Sequence, residues 1–119
     1  MRGTNLSGVD LGASEERDKG ANLAGADLRD SNLTSANLSA ANLRDANLSA
    51  ANLRSANLRD ADLRDTDLQW ASLVGADLRG AKLEGCSLWH TKYDSATHWP
   101  EGFSPPPEAV NVDAESNSR

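Results

Sequence analysis

The chain is poor in the residues from which large globular cores are built. Of its 119 residues, only three tryptophans, one tyrosine and one phenylalanine are aromatic. The single cysteine, Cys86, cannot form an intramolecular disulfide, so nothing indicates an oxidising compartment. There is no apolar run long enough for a transmembrane helix, and the start MRGTNLSGVDLG has no apolar signal region. We therefore expect one cytoplasmic domain with a narrow core and no membrane partner.

A strong excess of one charge is also missing from most of the chain. The formal net charge is −6, but residues 21–100 hold eight basic and ten acidic residues, which leaves only −2. Because no basic stripe is present, we expect no binding to nucleic acid. Basic and acidic residues alternate in a pattern that favours a solvated, mutually compensated surface. The basic residues in question are Arg44, Arg54, Arg59, Arg64 and Arg79.

What the sequence has in abundance is a five-residue repeat. The stretch 36–65 reads ANLSA ANLRD ANLSA ANLRS ANLRD ADLRD, so each unit has a small residue, Asn or Asp, Leu, and two free positions. Fourteen leucines lie five residues apart from Leu23 to Leu88, and Tyr93 and His98 take the next two leucine positions.

This spacing excludes the two common regular structures. In a helix, at about 100° per residue, the leucines would spread around the whole surface, and in a flat strand they would alternate between faces. A chain that bends after every unit places the small residue and the leucine inward, and such coils stack into a solenoid. Glycine at the second free position, as at Gly25 and Gly75, suits a type II turn. Units with Asp or Ser there suit type I or irregular turns, so mixed turns are predicted.

The A(N/D)LXX pattern resembles the pentapeptide-repeat family over residues 21–100, with two further units at 4–8 and 9–13. The resemblance implies an all-β fold: a right-handed quadrilateral parallel β-helix with four pentapeptides per coil. It further implies about four full coils and an N-terminal partial coil, in which residues 20 apart stack into four inward columns. The columns would be Leu23, Leu43, Leu63 and Leu83; Leu28, Leu48, Leu68 and Leu88; Leu33, Leu53, Leu73 and Tyr93; and Leu38, Leu58, Leu78 and His98.

One segment interrupts the frame. SEERDKG (14–20) is polar throughout and is predicted to bulge as a loop from a single solenoid domain spanning 1–103. If the loop is a pure excursion, Leu11 lies over Leu38; if it replaces one face, Leu11 lies over Leu33. We favour the excursion because no side chain of the segment can fill an inward position.

The two ends of the solenoid differ in composition. Residues 89–103 hold four of the five aromatic residues and are predicted to form a C-terminal cap from Tyr93, Trp99, Pro100 and Phe103. A binding patch is the rival interpretation of these aromatics. The remaining residues, 104–119, are predicted to be a disordered tail. The N-terminal end lacks a comparable cap, so both a monomer and a weak end-to-end homodimer stay open.

No catalytic, cofactor-binding or metal site is predicted. Cys86 falls in a small inward position and is interpreted as core filler, whereas His90 points outward, so the two do not form a ligand set. His98 is interpreted as part of the cap. The densest acidic patch comprises Asp60, Asp62, Asp65 and Asp67, but a convex surface offers these carboxylates no pocket for catalysis.

The leading functional hypothesis is a non-enzymatic scaffold or protein-interaction module. Its partner is expected to be a protein of unknown identity, and contact through the loop 14–20 or through the patch Asp60–Asp67 stays open. The alternative is a DNA mimic, because some family members bind type II topoisomerases and protect them from quinolones. That role depends on strongly acidic faces, whereas residues 21–100 carry only −2 here.

Overall fold

The computed structural model of the chain describes residues 1–12 and 19–113. Their backbone forms a ladder of isolated parallel bridges in place of long strands; Asn22 pairs with Asn42, Asn42 with Asp62, and Asp62 with Lys82. Two described segments are long enough to count as strands: β1 (Lys92–Tyr93) and β2 (Val110–Asn111), which pair in parallel. No helix in the described part of the chain has the length and apolar character needed to cross a membrane.

Most bridges join residues 20 positions apart, which is four five-residue units. The leucines therefore stack above one another inside a solenoid, together with the small residues that precede them. Eleven leucines are at most 1% exposed, whereas Leu23 and Leu83, near the two ends, are only partly buried. The fully buried leucines are Leu28, Leu33, Leu38, Leu43, Leu48, Leu53, Leu58, Leu63, Leu68, Leu73 and Leu78.

Hydrogen bonding explains why the second residue of a unit is Asn or Asp. The amide of the first residue in a unit donates to the carbonyl three residues earlier. The amide of the second residue donates to the preceding coil, and the amides of the third and fifth residues donate to the following coil. The fourth amide donates to the side chain of the Asn or Asp two residues before it. No amide of such a unit lacks an acceptor, as a buried backbone requires. For residues 56–60 the acceptors are, in order, Leu53 O, Ala36 O, Asp77 O, Asn57 Oδ1 and Arg79 O.

The prediction of mixed turns with type I geometry is wrong. The second free position has a positive φ whether it is glycine, as at Gly75 (72°), or not, as at Asp60 (59°) and Ala50 (59°). A type I turn needs a negative φ there. The reason is the stacking: the amide at this position must point along the solenoid axis to reach the next coil, as Asp60 N–H does toward Arg79 O.

The N-terminal units confirm the excursion. Asn5 pairs with Asn32 and Asp10 with Asn37, 27 residues apart, which is the period of 20 plus the seven residues of the inserted segment. The Leu11 amide donates to the Asn37 carbonyl at 2.8 Å, the bond that places Leu11 over Leu38. The Ala21 amide then donates to Leu11 O at 2.8 Å, so the regular turn bond closes across the insertion. Residues 13–18, which hold most of the predicted loop, lie outside the described residues.

Glycine borders the excursion on both sides for steric reasons. A Cβ on Gly20 would overlap the backbone carbonyl of Ser39, and one on Gly12 would overlap the side chains of Asn37 and Ser39. Neither glycine has a positive φ, so turn geometry does not require them. Close approach requires glycine at Gly20, where the opposing atoms are backbone, whereas the side chains opposite Gly12 can move aside. The two ends of the inserted segment therefore lie in close contact with residues 37–41 of the next coil.

The placement of His98 in the fourth column is wrong. Asp77 pairs with His98, 21 residues further on, because one extra residue enters the turn before Thr97. This shift gives the inward small position to Thr97, which is 7% exposed, and the leucine position to Trp99, while His98 faces solvent. The regular register therefore ends before residue 100.

The prediction of disorder over 104–119 is wrong for its first part. Residues 104–113 are described, and the Val110 amide donates to Thr91 O at 2.8 Å while β2 extends the ladder beyond β1. This segment has few apolar residues, but it is ordered because its backbone can pair with backbone groups that the last regular coil would otherwise leave unpaired. Residues 114–119 lie outside the described residues.

Candidate interaction surface

The outward surface carries a recurring fork between an Asp and the Arg two residues later. In Asp62–Arg64 the two guanidinium bonds to the carboxylate measure 2.8 and 2.6 Å, and in Asp77–Arg79 they measure 2.9 and 2.6 Å. Asp27 and Arg29 form the same pair. Each Asp also accepts the backbone amide of its Arg, so the DLR sequence holds both side chains in one geometry.

These forks set the protonation of the carboxylates. The hydrogen bonds from Arg64 lower the pKa of Asp62 from its ordinary value of 3.8 to about 2, against an opposing effect of partial burial. Arg79 lowers the pKa of Asp77 to about 2 in the same way. Both carboxylates are therefore ionised at neutral pH and are compensated locally. A carboxylate used for general acid–base catalysis would need the opposite shift.

The acidic patch at Asp60–Asp67 is consequently less negative than its sequence indicates. Asp62 is neutralised by Arg64, and Asp67 accepts the Gln69 amide at 3.0 Å. Within the described residues, no group of three metal-ligating side chains converges. Two of the four carboxylates, Asp62 and Asp67, are thus bonded locally, and the described part of the patch is not a metal-binding cluster.

Cys86 lies in the small inward position and packs at the edge of the core. Burial raises the pKa of its thiol to about 11, so the nucleophilic thiolate is scarce at neutral pH. His90 faces outward, as the repeat predicts, and its ring packs against Trp70.

The structure brings together three side chains that sequence reasoning left apart. Trp70 and His90 are stacked, with ring centroids 4.3 Å apart and planes within 2°, and Trp89 meets the His90 ring edge-on at 4.5 Å. Trp70 is 57% exposed and Trp89 50% exposed. Trp89 therefore does not belong to the aromatic cap predicted over 89–103. We call residues 47–50, 67–70 and 87–90, which stack at this edge, the tryptophan corner.

The signal for this cluster was present in the sequence. Residues 70 and 90 are 20 apart at the same turn position, so the period of the solenoid stacks them. The Trp70 amide donates to Trp89 O at 3.0 Å, which brings the two tryptophans into successive coils at one corner. The rule that stacks the inward leucines therefore also stacks the outward turn positions.

The remaining aromatics close the C-terminal end. Tyr93 meets Trp99 edge-on at 5.5 Å, and Trp99 packs against Phe103 at 5.1 Å. An open groove of about 390 Å³ runs between this group and the last regular coil. Its lining is Ala81, Leu83, Glu84, Pro100, Glu101, Gly102 and Phe103. Glu84 and Glu101 are the two charged residues among those that line the groove.

Comparison with known proteins gives a consistent picture. A family profile described as pentapeptide repeats matches eight copies over residues 19–49 and 51–89. The crystal structure of alr5209, a pentapeptide repeat protein from Nostoc PCC 7120, is 42% identical, with 84% of this chain and 77% of that chain covered and a TM-score of 0.77. Comparison with curated proteins gave no match.

Two other solved structures are more distant. A pentapeptide repeat protein of the Arabidopsis thaliana thylakoid lumen is 30% identical, with 79% of this chain and 68% of that chain covered and a TM-score of 0.33. QnrB1, a plasmid-mediated fluoroquinolone resistance protein, is 18% identical, with 92% and 79% covered and a TM-score of 0.48. Superpositions this poor carry no argument about function.

Proposed function

Because the chain belongs to the pentapeptide-repeat family, we propose that it is a non-enzymatic protein-interaction scaffold that binds a protein partner through the tryptophan corner. The observation that carries the proposal is the pair of half-exposed tryptophans, which together with the terminal Met1 are the exposed large hydrophobic side chains of the described residues. Large aromatic side chains with one apolar face and one polar edge are enriched where proteins bind one another.

The rest of the surface supports this choice by elimination. The described carboxylates with the largest pKa shifts are held in Asp–Arg forks, and surface pairs of this kind contribute little binding energy. The buried leucine columns rigidify the wall from which the tryptophans project. A rigid wall reduces the entropy lost when a partner binds.

We further propose the handedness, the number of sides and the number of coils of the solenoid. The chain would wind as a right-handed, four-sided β-helix of about four full coils plus an N-terminal partial coil. The bridges between residues 20 apart and the similarity to alr5209 support it. We also propose that the protein is cytoplasmic and is a monomer or a weak end-to-end homodimer.

Affinity capture from the source organism tests the interaction role. The wild-type chain, the variant Trp70→Asn and the control Arg54→Ser would serve as baits, with bound proteins quantified by mass spectrometry. Asn is chosen because it tolerates the positive φ of 64° at Trp70. We expect a partner retained by wild type and Arg54→Ser but lost by Trp70→Asn. Equal recovery on all three baits would reject the tryptophan corner as the binding surface.

The alternative role as a DNA mimic has a separate test. Its requirement for a strongly acidic face conflicts with the net charge of −2 over residues 21–100 and with the forks that compensate Asp62 and Asp77. We expect no inhibition of gyrase supercoiling by micromolar protein. If the protein inhibited gyrase at molar amounts below those of the DNA, the DNA-mimic role would be favoured over the scaffold role.

A further inference from the structure

One face of the Trp70 ring is covered and the other is open. Trp70 and His90 occupy the same turn position in successive coils, and their rings are parallel within 2°. Since coils stack about 4.8 Å apart along the axis, the Trp70 ring must lie roughly parallel to the plane of a coil. His90 covers its face toward the C-terminal end, so the opposite face points toward the coil below.

The coil below provides only a methyl group at the matching position. The Ala50 amide donates to Gln69 O at 2.9 Å, which places Ala50 directly beneath the turn that carries Trp70. The Asp30 amide donates to Ser49 O at 3.0 Å and so marks the coil below that. The gap from Trp70 to the Asp30 level is two coil spacings, about 10 Å, with Ala50 as its inner wall. One flat group fits against the open ring face.

The electrostatics of this gap favour a positively charged guest. The three segments of the tryptophan corner contain no Lys or Arg, whereas other corners carry them, as at Arg44 and Arg54. The segment 27–30, which stacks beneath residues 47–50, carries Arg29, whose guanidinium is held by the Asp27 carboxylate at 2.8 and 2.7 Å. Asp67 belongs to the corner, and the chain as a whole is at −6. The Asp30 carboxylate below the gap is half exposed and holds Arg2 through one bond of 3.2 Å. The two arginines at the floor of the gap, Arg2 and Arg29, are each bonded to a carboxylate, so a guest cation meets no unpaired basic residue there and competes only with Arg2 for Asp30.

We propose that the open face of Trp70, above Ala50, receives an arginine side chain of a basic protein segment. A guanidinium is planar, stacks on indole, and keeps its edge donors free for carboxylates such as Asp30. A lysine ammonium matches the charge but not the flat shape of the gap. This inference rests on the proposed interaction function and names the chemistry of the partner at that surface.

The direct test uses a peptide probe. The acetylated, amidated peptide Gly-Arg-Gly-Arg-Gly and its lysine counterpart are titrated into ¹⁵N-labelled protein, and the three tryptophan indole N–H resonances are followed. We expect a saturable shift at Trp70, no shift at the capped Trp99, and binding of the lysine peptide weaker by about threefold or more. Absence of a Trp70 shift, or equal binding of the two peptides, would overturn the proposal.

A matched pair of variants separates shape from charge. Ala50→Arg supplies a guanidinium to Trp70 from within the chain, and Ala40→Arg makes the same change at a corner without tryptophan. Both sites have a positive φ, 59° and 56°, so their backbone strain is alike. We expect Ala50→Arg to weaken peptide binding about tenfold and Ala40→Arg to leave it nearly unchanged. Equal weakening by both variants would show charge repulsion alone and refute the stacking site.

The outcomes distinguish this inference from the scaffold proposal. If capture of a partner depends on Trp70 while the arginine peptide fails to shift its indole, the scaffold stands and the arginine site is wrong. Analytical ultracentrifugation over a range of protein concentrations tests whether a second copy of the chain occupies the open face instead. Self-association lost in Trp70→Asn would assign the open face to a second copy of the chain and overturn the arginine site.

Discussion

Removing one leucine from the middle of a column should cost a large share of the folding free energy. Leu53 is 0% exposed and stacks between Leu33 and Leu73, which are also fully buried. In Leu53→Ala the backbone ladder holds the neighbouring coils in place, so the site cannot collapse and a cavity remains. A loss of about 2.7–5.0 kcal/mol is expected for such a change. Native proteins are typically stable by about 5–15 kcal/mol, so a loss of this size is severe.

Urea denaturation followed by circular dichroism and tryptophan fluorescence measures this loss. The control is Arg54→Ser, the next residue along, whose exposed side chain should change the free energy of unfolding by about 0.5 kcal/mol or less. Leu53→Asp should prevent folding, because the column offers no partner for a charge. If Arg54→Ser cost as much as Leu53→Ala, the assignment of inward and outward positions would be incorrect.

Three further outcomes follow from the structure. The Asp62 carboxyl should titrate near pH 2 by NMR, with its stabilising effect present above the ordinary pKa of 3.8 and lost as the pH falls through 2; Arg64→Ala should return the midpoint toward 3.8, and an unchanged midpoint would contradict the fork. Cys86, with its thiol pKa raised to about 11, should resist iodoacetamide at pH 7.5 until the chain unfolds, so rapid native alkylation detected by mass spectrometry would argue against its burial. Gly20→Ala should lower stability by about 1–3 kcal/mol in thermal or urea melts, because its Cβ meets the Ser39 carbonyl; an unchanged melt would mean that the two backbones can separate freely.

Most of the interior follows from the repeat alone. A period of five admits no helix and no flat strand, so the small residues and leucines had to face inward together. The same counting gave the register of Leu11 over Leu38 across the insertion, since a seven-residue excursion adds seven to the period without changing the column. The Asn and Asp residues were part of the recognised pattern, yet their role as acceptors for the fourth amide emerged only from hydrogen-bond geometry.

The repeat did not predict the turn geometry or the C-terminal register correctly, because local conformational preferences compete with coil stacking at these positions. Asp60 would accept a type I turn in a short peptide, but it adopts a φ of 59° because its amide must bond to the next coil. One extra residue in the turn before Thr97 shifts the register, so Trp99 and not His98 takes the leucine position and packs against the core.

The sequence by itself thus determined the solenoid, its leucine interior and its balanced outer charge, because these depend on a spacing repeated along the chain. Only the tertiary structure decided that Trp70, Trp89 and His90 meet at one corner and leave an indole face open above Ala50. The physical reason is that an inward column is specified many times over by like residues. An outward cluster arises from single residues 20 apart, which become neighbours only when successive coils stack.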